Sequence, residues 1–123
     1  MTRDDAEILA NDWTAAWNDR DVERVLEYFD EDVAFTSPTA AAVVGRFTVH
    51  GKEALREYWA TALARIGSLE FTLDHVMWDA ATRELAIIYT AHIDGRSRRV
   101  SENLRFGPDG LVVSAEVFHG VSG

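Results

Sequence analysis

The sequence predicts an α+β fold in which the helices come first and an antiparallel sheet follows. Two observations carry this. As far as Ile66 the apolar residues recur at spacings of three and four, the period of a helix with one buried stripe; from Leu69 onward they recur every second residue, the period of a strand with one buried face. The second half is also punctuated by hairpin signals, Asp94-Gly95 and Gly107-Pro108-Asp109-Gly110. The 123 residues suit one domain over the whole chain, 1–123, with a core that needs no cross-links. Cysteine is absent, which removes thiol catalysis and thiolate metal sites.

Taken in order, Ala6, Leu9, Ala10, Trp13, Ala16 and Trp17 draw the stripe of a first helix beginning near Asp4. Asn18-Asp19-Arg20-Asp21 interrupts it, and Asp21 then caps a short second helix carrying Val22, Val25, Leu26 and Phe29. Asp30-Glu31-Asp32 reads as a turn. Val33 to Ser37 is a short β-prone run stopped by Pro38, whose ring removes a backbone donor. Thr39 to Val44 has no clear period and reads as a loop, and Gly45 to Val49 as a short strand. A third helix runs from Lys52 to Ile66, with Leu55, Tyr58, Trp59, Ala62 and Leu63 on its apolar face. Four strands complete the chain: Leu69 to Trp78, Glu84 to Ile93, Arg98 to Phe106 and Leu111 to His119.

Counting register through the hairpins places Leu85, Ile87, Tyr89, Ala91 and Ile93 on one face with Val100, Glu102, Leu104 and Phe106 and with Leu111, Val113, Ala115, Val117 and His119. That face is expected to meet the helices. Glu102 is therefore a carboxylate on an apolar face, which must find a partner, keep a proton or line a cavity. The count sets it between Ile87 and Ala115. If the turn at Asp79 to Arg83 preserves parity, His75 joins the same row, about 10 Å from Glu102 at the backbone. Glu102 and His75 are thus the candidate acid/base pair.

The formal net charge of −9 disfavours nucleic acid phosphates and anionic membranes as partners. Arg96, Arg98, Arg99 and Arg105 read as solvated charges around a hairpin. The four histidines show no pair at metal-ligand spacing, so no metal or other cofactor is expected. No run is long and apolar enough for a membrane span, and the N-terminal residues lack the apolar core of a signal peptide, so a cytoplasmic protein is expected. Val76, Trp78, Ala86, Ile88, Thr90 and Phe118 are apolar for an outward face, which suggests a homodimer.

Four segments carry a family resemblance: Trp13-Thr14-Ala15-Ala16-Trp17-Asn18-Asp19-Arg20-Asp21, the Phe35-Thr36-Ser37-Pro38 corner, His50-Gly51-Lys52-Glu53-Ala54-Leu55, and Asn103-Leu104-Arg105-Phe106. Their order and spacing resemble the nuclear transport factor 2-like superfamily, particularly its SnoaL-like and ketosteroid isomerase-like proteins. The resemblance implies a cystatin-like architecture, a cone-shaped curved antiparallel sheet wrapped around three helices, with an apolar pocket. Its members include isomerases, cyclases, an epoxide hydrolase and dehydratases, so the fold alone leaves the reaction open. The positions of the isomerase site, a helix-one tyrosine, a protonated strand aspartate and an aspartate before proline, correspond here to Trp13, Glu102 and Ser37. Ser37 cannot serve as that base. The reading is a small hydrophobic molecule bound in a pocket walled by Trp13, Trp17, Phe35, Ser37, Tyr58 and Trp59 together with Tyr89, Leu104, Val117 and His119. Acid/base turnover and non-catalytic binding or dimerisation both stay open.

Overall fold

The structure, a computed structural model, describes residues 1–122. Its order is α1 (Arg3–Asn18), α2 (Val22–Leu26), β1 (Phe29–Thr36), α3 (Pro38–Val44), β2 (Thr48–His50), α4 (Lys52–Ala64), β3 (Leu69–Asp79), β4 (Glu84–Ile93), β5 (Arg96–Phe106) and β6 (Val112–Ser122). The strands form one curved, unclosed sheet in the order β2-β1-β6-β5-β4-β3. All neighbours are antiparallel except β1 and β6, which run parallel.

Local chemistry accounts for most boundaries. Thr2 and Asp5 close a reciprocal capping box at the start of α1. The chain leaves α1 through Arg20, in the left-handed region at φ 56. Its guanidinium donates to the carbonyls of Leu63, Ile66 and Gly67, satisfying the open end of α4. Asn18 does the equivalent for the sheet edge. Its side-chain amide donates to the Phe71 carbonyl and its oxygen accepts from the Phe71 amide, so a side chain stands in for a neighbouring strand beside β3. At the β4–β5 turn Asp94 and Gly95 both have positive φ, as a two-residue primed turn demands, and Ile93 faces Arg96 across it.

Three sequence expectations give way. Thr39 to Val44 is helical rather than a loop: Ser37 accepts from the Thr39 amide as N-cap, and Pro38 sits in the first turn, where its missing N–H is harmless. Four helices therefore pack on the sheet, not three. Phe29 opens β1 instead of ending a helix, because α2 stops at Leu26 and Phe29 pairs with Val112. Leu111 precedes β6, and one extra residue between the Phe106–Val112 and Arg105–Ser114 pairs turns Val113, counted inward, out to solvent and buries Val112; beyond it the pairing runs two residues from the count, so Glu102 faces Val117 while Ala115 faces Leu104. A shift of two keeps the face, and Glu102 still points inward.

The remaining difference changes a face. In β3, Leu73 pairs with Tyr89 but His75 pairs with Ile88, leaving Asp74 as the extra residue of a bulge. One extra residue inverts every later side chain. Phe71 and Leu73 point to the core as predicted, whereas beyond the bulge it is Val76 and Trp78 that turn inward, Val76 buried and Trp78 against Phe106. His75 and Met77 are turned out to the exposed face.

The core fills the concave side of the sheet. Trp13, fully enclosed at 0% exposure, stacks on Phe71 at 5.9 Å and meets Tyr89 edge-on at 5.1 Å. Trp59 receives Trp17, Phe29 and Phe35 in edge contacts of 4.9 to 5.4 Å. Among the described residues no helix is long and apolar enough to cross a membrane.

Candidate functional site

The aromatic layer does not close the concave side completely. Between α4, the inner face of β3 to β6 and the β1–α3 corner lies a cavity of about 300 Å³, at the lower end of ligand-binding size. Trp59, Phe71, Tyr89 and Val117 wall it without filling it, and Trp17, Phe35 and Tyr58 complete the apolar lining. Its polar groups are few: Ser37, Thr39, Glu102, His119, Arg96 and Arg98.

Glu102 is brought there by strict alternation along β5. Val100, Glu102 and Leu104 face inward, and Glu102 sits in the row Ile87, Glu102, Val117 with apolar side chains on both flanks. It is 4% exposed. No arginine or lysine pairs with it, and its Oε2 has no hydrogen-bond partner. Burial pushes its pKa up to about 8, a rise that hydrogen bonding from Tyr89 only partly offsets. At neutral pH Glu102 is consequently mostly a carboxylic acid, able to donate one hydrogen bond.

Hydroxyls surround this acid. Tyr89 lies diagonal to Glu102 on the adjacent strand, since Tyr89 pairs with Val100 and Glu102 with Ile87. Tyr58 reaches in from α4, and burial pushes its hydroxyl up to about 12 although hydrogen bonds with Ser37 and Thr39 act the other way. Both tyrosines therefore stay protonated. The Ser37-Pro38 start of α3 matters for this reason: the same cap that begins the helix delivers Ser37 and Thr39 to Tyr58.

His119 is the second titratable group of the site. It pairs with Val100, one inward step from Val117, so it is a diagonal neighbour of Glu102 on β6, about 7–8 Å away at the backbone. Its Nδ1 lies 2.7 Å from an Arg98 guanidinium nitrogen. Burial, and then the Arg98 charge, hold its imidazole below the usual histidine range. A neutral ring that accepts from Arg98 at Nδ1 carries its proton on Nε2.

Of the residues singled out from sequence, Glu102, Trp17, Phe35, Ser37, Tyr58, Trp59, Tyr89, Val117 and His119 meet at this cavity. Three do not. His75 is on the opposite face, its Nδ1 3.3 Å from the Asp74 carboxylate, because the bulge at Asp74 inverts parity. Trp13 lies behind Phe71 and Tyr89, and Leu104 is fully buried between Leu85 and Ala115. Thr39, Arg96 and Arg98 were not anticipated. The arginines share the even parity of Val100 and Glu102, a signal that outward-facing charge patterning obscures; Arg98 is half-buried, whereas Arg96 at the hairpin end is exposed, as are Arg99 and Arg105. Among the described residues no cluster of His, Asp, Glu or Cys is arranged to hold a metal ion.

A curved open sheet with helices on its concave side is the nuclear transport factor 2-like fold. Residues 10–116 match the model of the SnoaL-like domain, and the chain belongs to that family. It is similar to a SnoaL-like protein of unknown function from Burkholderia thailandensis, at 28% identity over 98% of both chains and a TM-score of 0.88. A cystatin-like-fold protein of unknown function from Methylobium petroleophilum shares 22% identity, covers 98% of this chain and 79% of its own, and superposes with a TM-score of 0.79. The epoxide hydrolase/cyclase-like enzyme SalBIII, which has a role in pyran ring formation in polyether salinomycin, has the same fold at 19% identity, with 96% and 92% coverage and a TM-score of 0.73. Among curated proteins none matches the chain.

Proposed function

We propose that the chain binds a small molecule with an apolar body and a hydrogen-bond-accepting oxygen, and that protonated Glu102 donates to that oxygen. The observation that carries this reading is the unpartnered Glu102 Oε2 at the wall of an apolar cavity. A buried acid kept neutral at pH 7 is suited to a carbonyl oxygen on which negative charge develops. Turnover of isomerase, cyclase or dehydratase type would use Glu102 as the acid. His119 is the neutral partner, and it can accept a proton only once its Nδ1 leaves Arg98. Solved relatives of the same fold include a cyclase-like enzyme, which supports this class of chemistry.

The test uses two naphthalenes of similar shape, 2-acetylnaphthalene with a carbonyl and 2-isopropylnaphthalene without one. The protein is expected to bind the ketone about fivefold more tightly, the worth of one net hydrogen bond. Glu102→Leu is expected to erase the difference while retaining the hydrocarbon, and the preference in the native chain is expected to fade above about pH 8, where Glu102 ionises. Equal affinities at pH 6 would sink the assignment.

We further propose that the outer sheet face pairs two copies of the chain. Phe118 and Met77 are exposed there beside Ile88 and Ala86, more apolar surface than a solvated face needs. Light scattering at micromolar concentration is expected to give twice the chain mass, and Phe118→Glu to halve it. A native monomer would remove the proposal.

A further inference from the structure

The mouth of the cavity carries a charge opposite to that of the molecule. In a chain of net charge −9, the groups that ring the outer end of the site are the two guanidinium groups of Arg96 and Arg98. Both are on the inner face by register: Arg96 faces Ile93 and Arg98 faces Ala91 across β4. Neither makes a salt bridge among the described residues, whereas Arg24, Arg56 and Arg99 each have a carboxylate within 4 Å. Among the described residues the side-chain partner of Arg98 is the neutral imidazole of His119, which accepts a hydrogen bond but cancels no charge. The nearest carboxylate along the chain, Asp94, is occupied elsewhere, its Oδ1 accepting from the amides of Gly67 and Ser68 at 2.9 and 2.8 Å. Among the described residues the only carboxyl group in the lining is Glu102, four residues further along β5 than Arg98.

We propose that the ligand is an amphipathic anion, with a carboxylate or sulfonate held by Arg96 and Arg98 at the mouth and its apolar body running inward toward Glu102. This rests on the cavity reading above and adds the ligand's charge and direction to it. Val100 stands between Arg98 and Glu102 on the inner face of β5, and Phe71 and Ala91, in the cross-strand row of Arg98, wall the mouth together with Leu63 and Ile66. Along β5 the spacing from Arg98 to Glu102 is about 13 Å at the backbone, which the arginine side chain shortens, so the anion and any oxygen facing Glu102 belong at opposite ends of a one- or two-ring molecule. Guanidinium suits an anion at this position because it stays charged at every accessible pH and presents paired N–H donors to a planar acceptor. Arg98 is half-buried, so its contact with an anion is also less screened than one on the open surface.

Two fluorescent probes separate charge from shape. 8-Anilinonaphthalene-1-sulfonate and N-phenyl-1-naphthylamine share the same aromatic body and differ in the sulfonate. The native protein is expected to bind the sulfonate at least tenfold more tightly, as charge-assisted hydrogen bonds predict. Arg96→Gln with Arg98→Gln is expected to bring the two affinities within about twofold of each other by lowering only that of the sulfonate. Arg3→Gln, which removes the same charge from the far end of α1, is expected to leave the ratio as it is. If the neutral probe binds and the sulfonate is no tighter, or the ratio survives the double replacement, the anion proposal is overturned and the apolar cavity stands. If neither probe binds, the cavity reading fails and takes this inference with it.

Discussion

Glu102→Gln is expected to make the protein more stable at alkaline pH, by roughly 3 kcal/mol at pH 9. The sign follows from the proton balance. Glu102 has a pKa of about 8 in the fold and 4.5 in the unfolded chain. Below pH 4.5 both states hold the proton, and this group adds no pH dependence. Between 4.5 and about 8 the unfolded chain releases the proton while the folded chain keeps it, so stability falls by up to about 1.4 kcal/mol per pH unit. Above about 8 both states are ionised and the loss is complete, on the order of 4 to 5 kcal/mol. Glutamine never ionises and so escapes that loss. It puts two amide N–H donors where the acid has one O–H, between apolar Ile87 and Val117, a cost of about 1 kcal/mol that makes the variant slightly less stable at pH 4.5. The two stability curves should therefore cross near pH 5. His119 titrates in the opposite direction, its folded pKa being depressed, but it is common to both proteins and cancels in the difference. Urea unfolding at half-unit steps from pH 4.5 to 9 measures this directly. Parallel curves would mean that Glu102 is ionised in the fold, and the hydrogen-bond donor of the site would be lost with it.

That such a group exists was legible in the sequence, because strand parity is a rigid rule wherever a strand is regular. Arg98 to Phe106 alternates without interruption against β4, and the inward placement of Glu102 beside Ile87 follows from counting alone. The identity of its titratable neighbour was not legible, because parity fails at bulges and nothing in Leu73-Asp74-His75 announces one. Asp74 is neither glycine nor proline, and the inversion there is visible only as Val76 and Trp78 turning in where His75 and Met77 were expected. His119 took the place assigned to His75. It was on the correct face from the outset, but its distance along β6 from Glu102 depended on the irregular approach through Gly107 to Leu111, which no local propensity dictates. Helix α3 was missed for another reason. A seven-residue helix shows barely two turns of periodicity, and the informative signal was its start, Ser37-Pro38, and not its alanines. The two arginines at the mouth are hard to read from sequence because surface charge is the common fate of arginine, although their even numbering places them with Glu102.

Trp13→Ala is expected to cost about 3–5 kcal/mol, the largest effect of any single truncation in the core. Trp13 is completely enclosed and is held by three other rings, Trp17, Phe71 and Tyr89, at centroid distances of 5.1 to 6.4 Å. Those rings belong to α1, β3 and β4, so they cannot all collapse into the space the indole leaves, and most of the cavity remains. Its Nε1 makes no hydrogen bond, so the loss is one of packing alone. Trp13→Phe, which keeps a ring against Phe71, should for that reason cost no more than about 1.5 kcal/mol. The functional consequence is the more informative part. Trp13 does not line the cavity, yet it backs Phe71 and Tyr89, which supply part of its apolar wall and the hydroxyl beside Glu102. Without it these rings can tilt into the new space, and Tyr89 can carry its hydroxyl away from the acid. At temperatures where the alanine variant is still folded, affinity for N-phenyl-1-naphthylamine is expected to fall, while the phenylalanine variant keeps it. Urea unfolding and fluorescence titration on the same samples separate the two effects. If Trp13→Ala loses its stability but binds the probe unchanged, the cavity wall does not depend on this layer, and the pocket is set by the sheet and α4 alone.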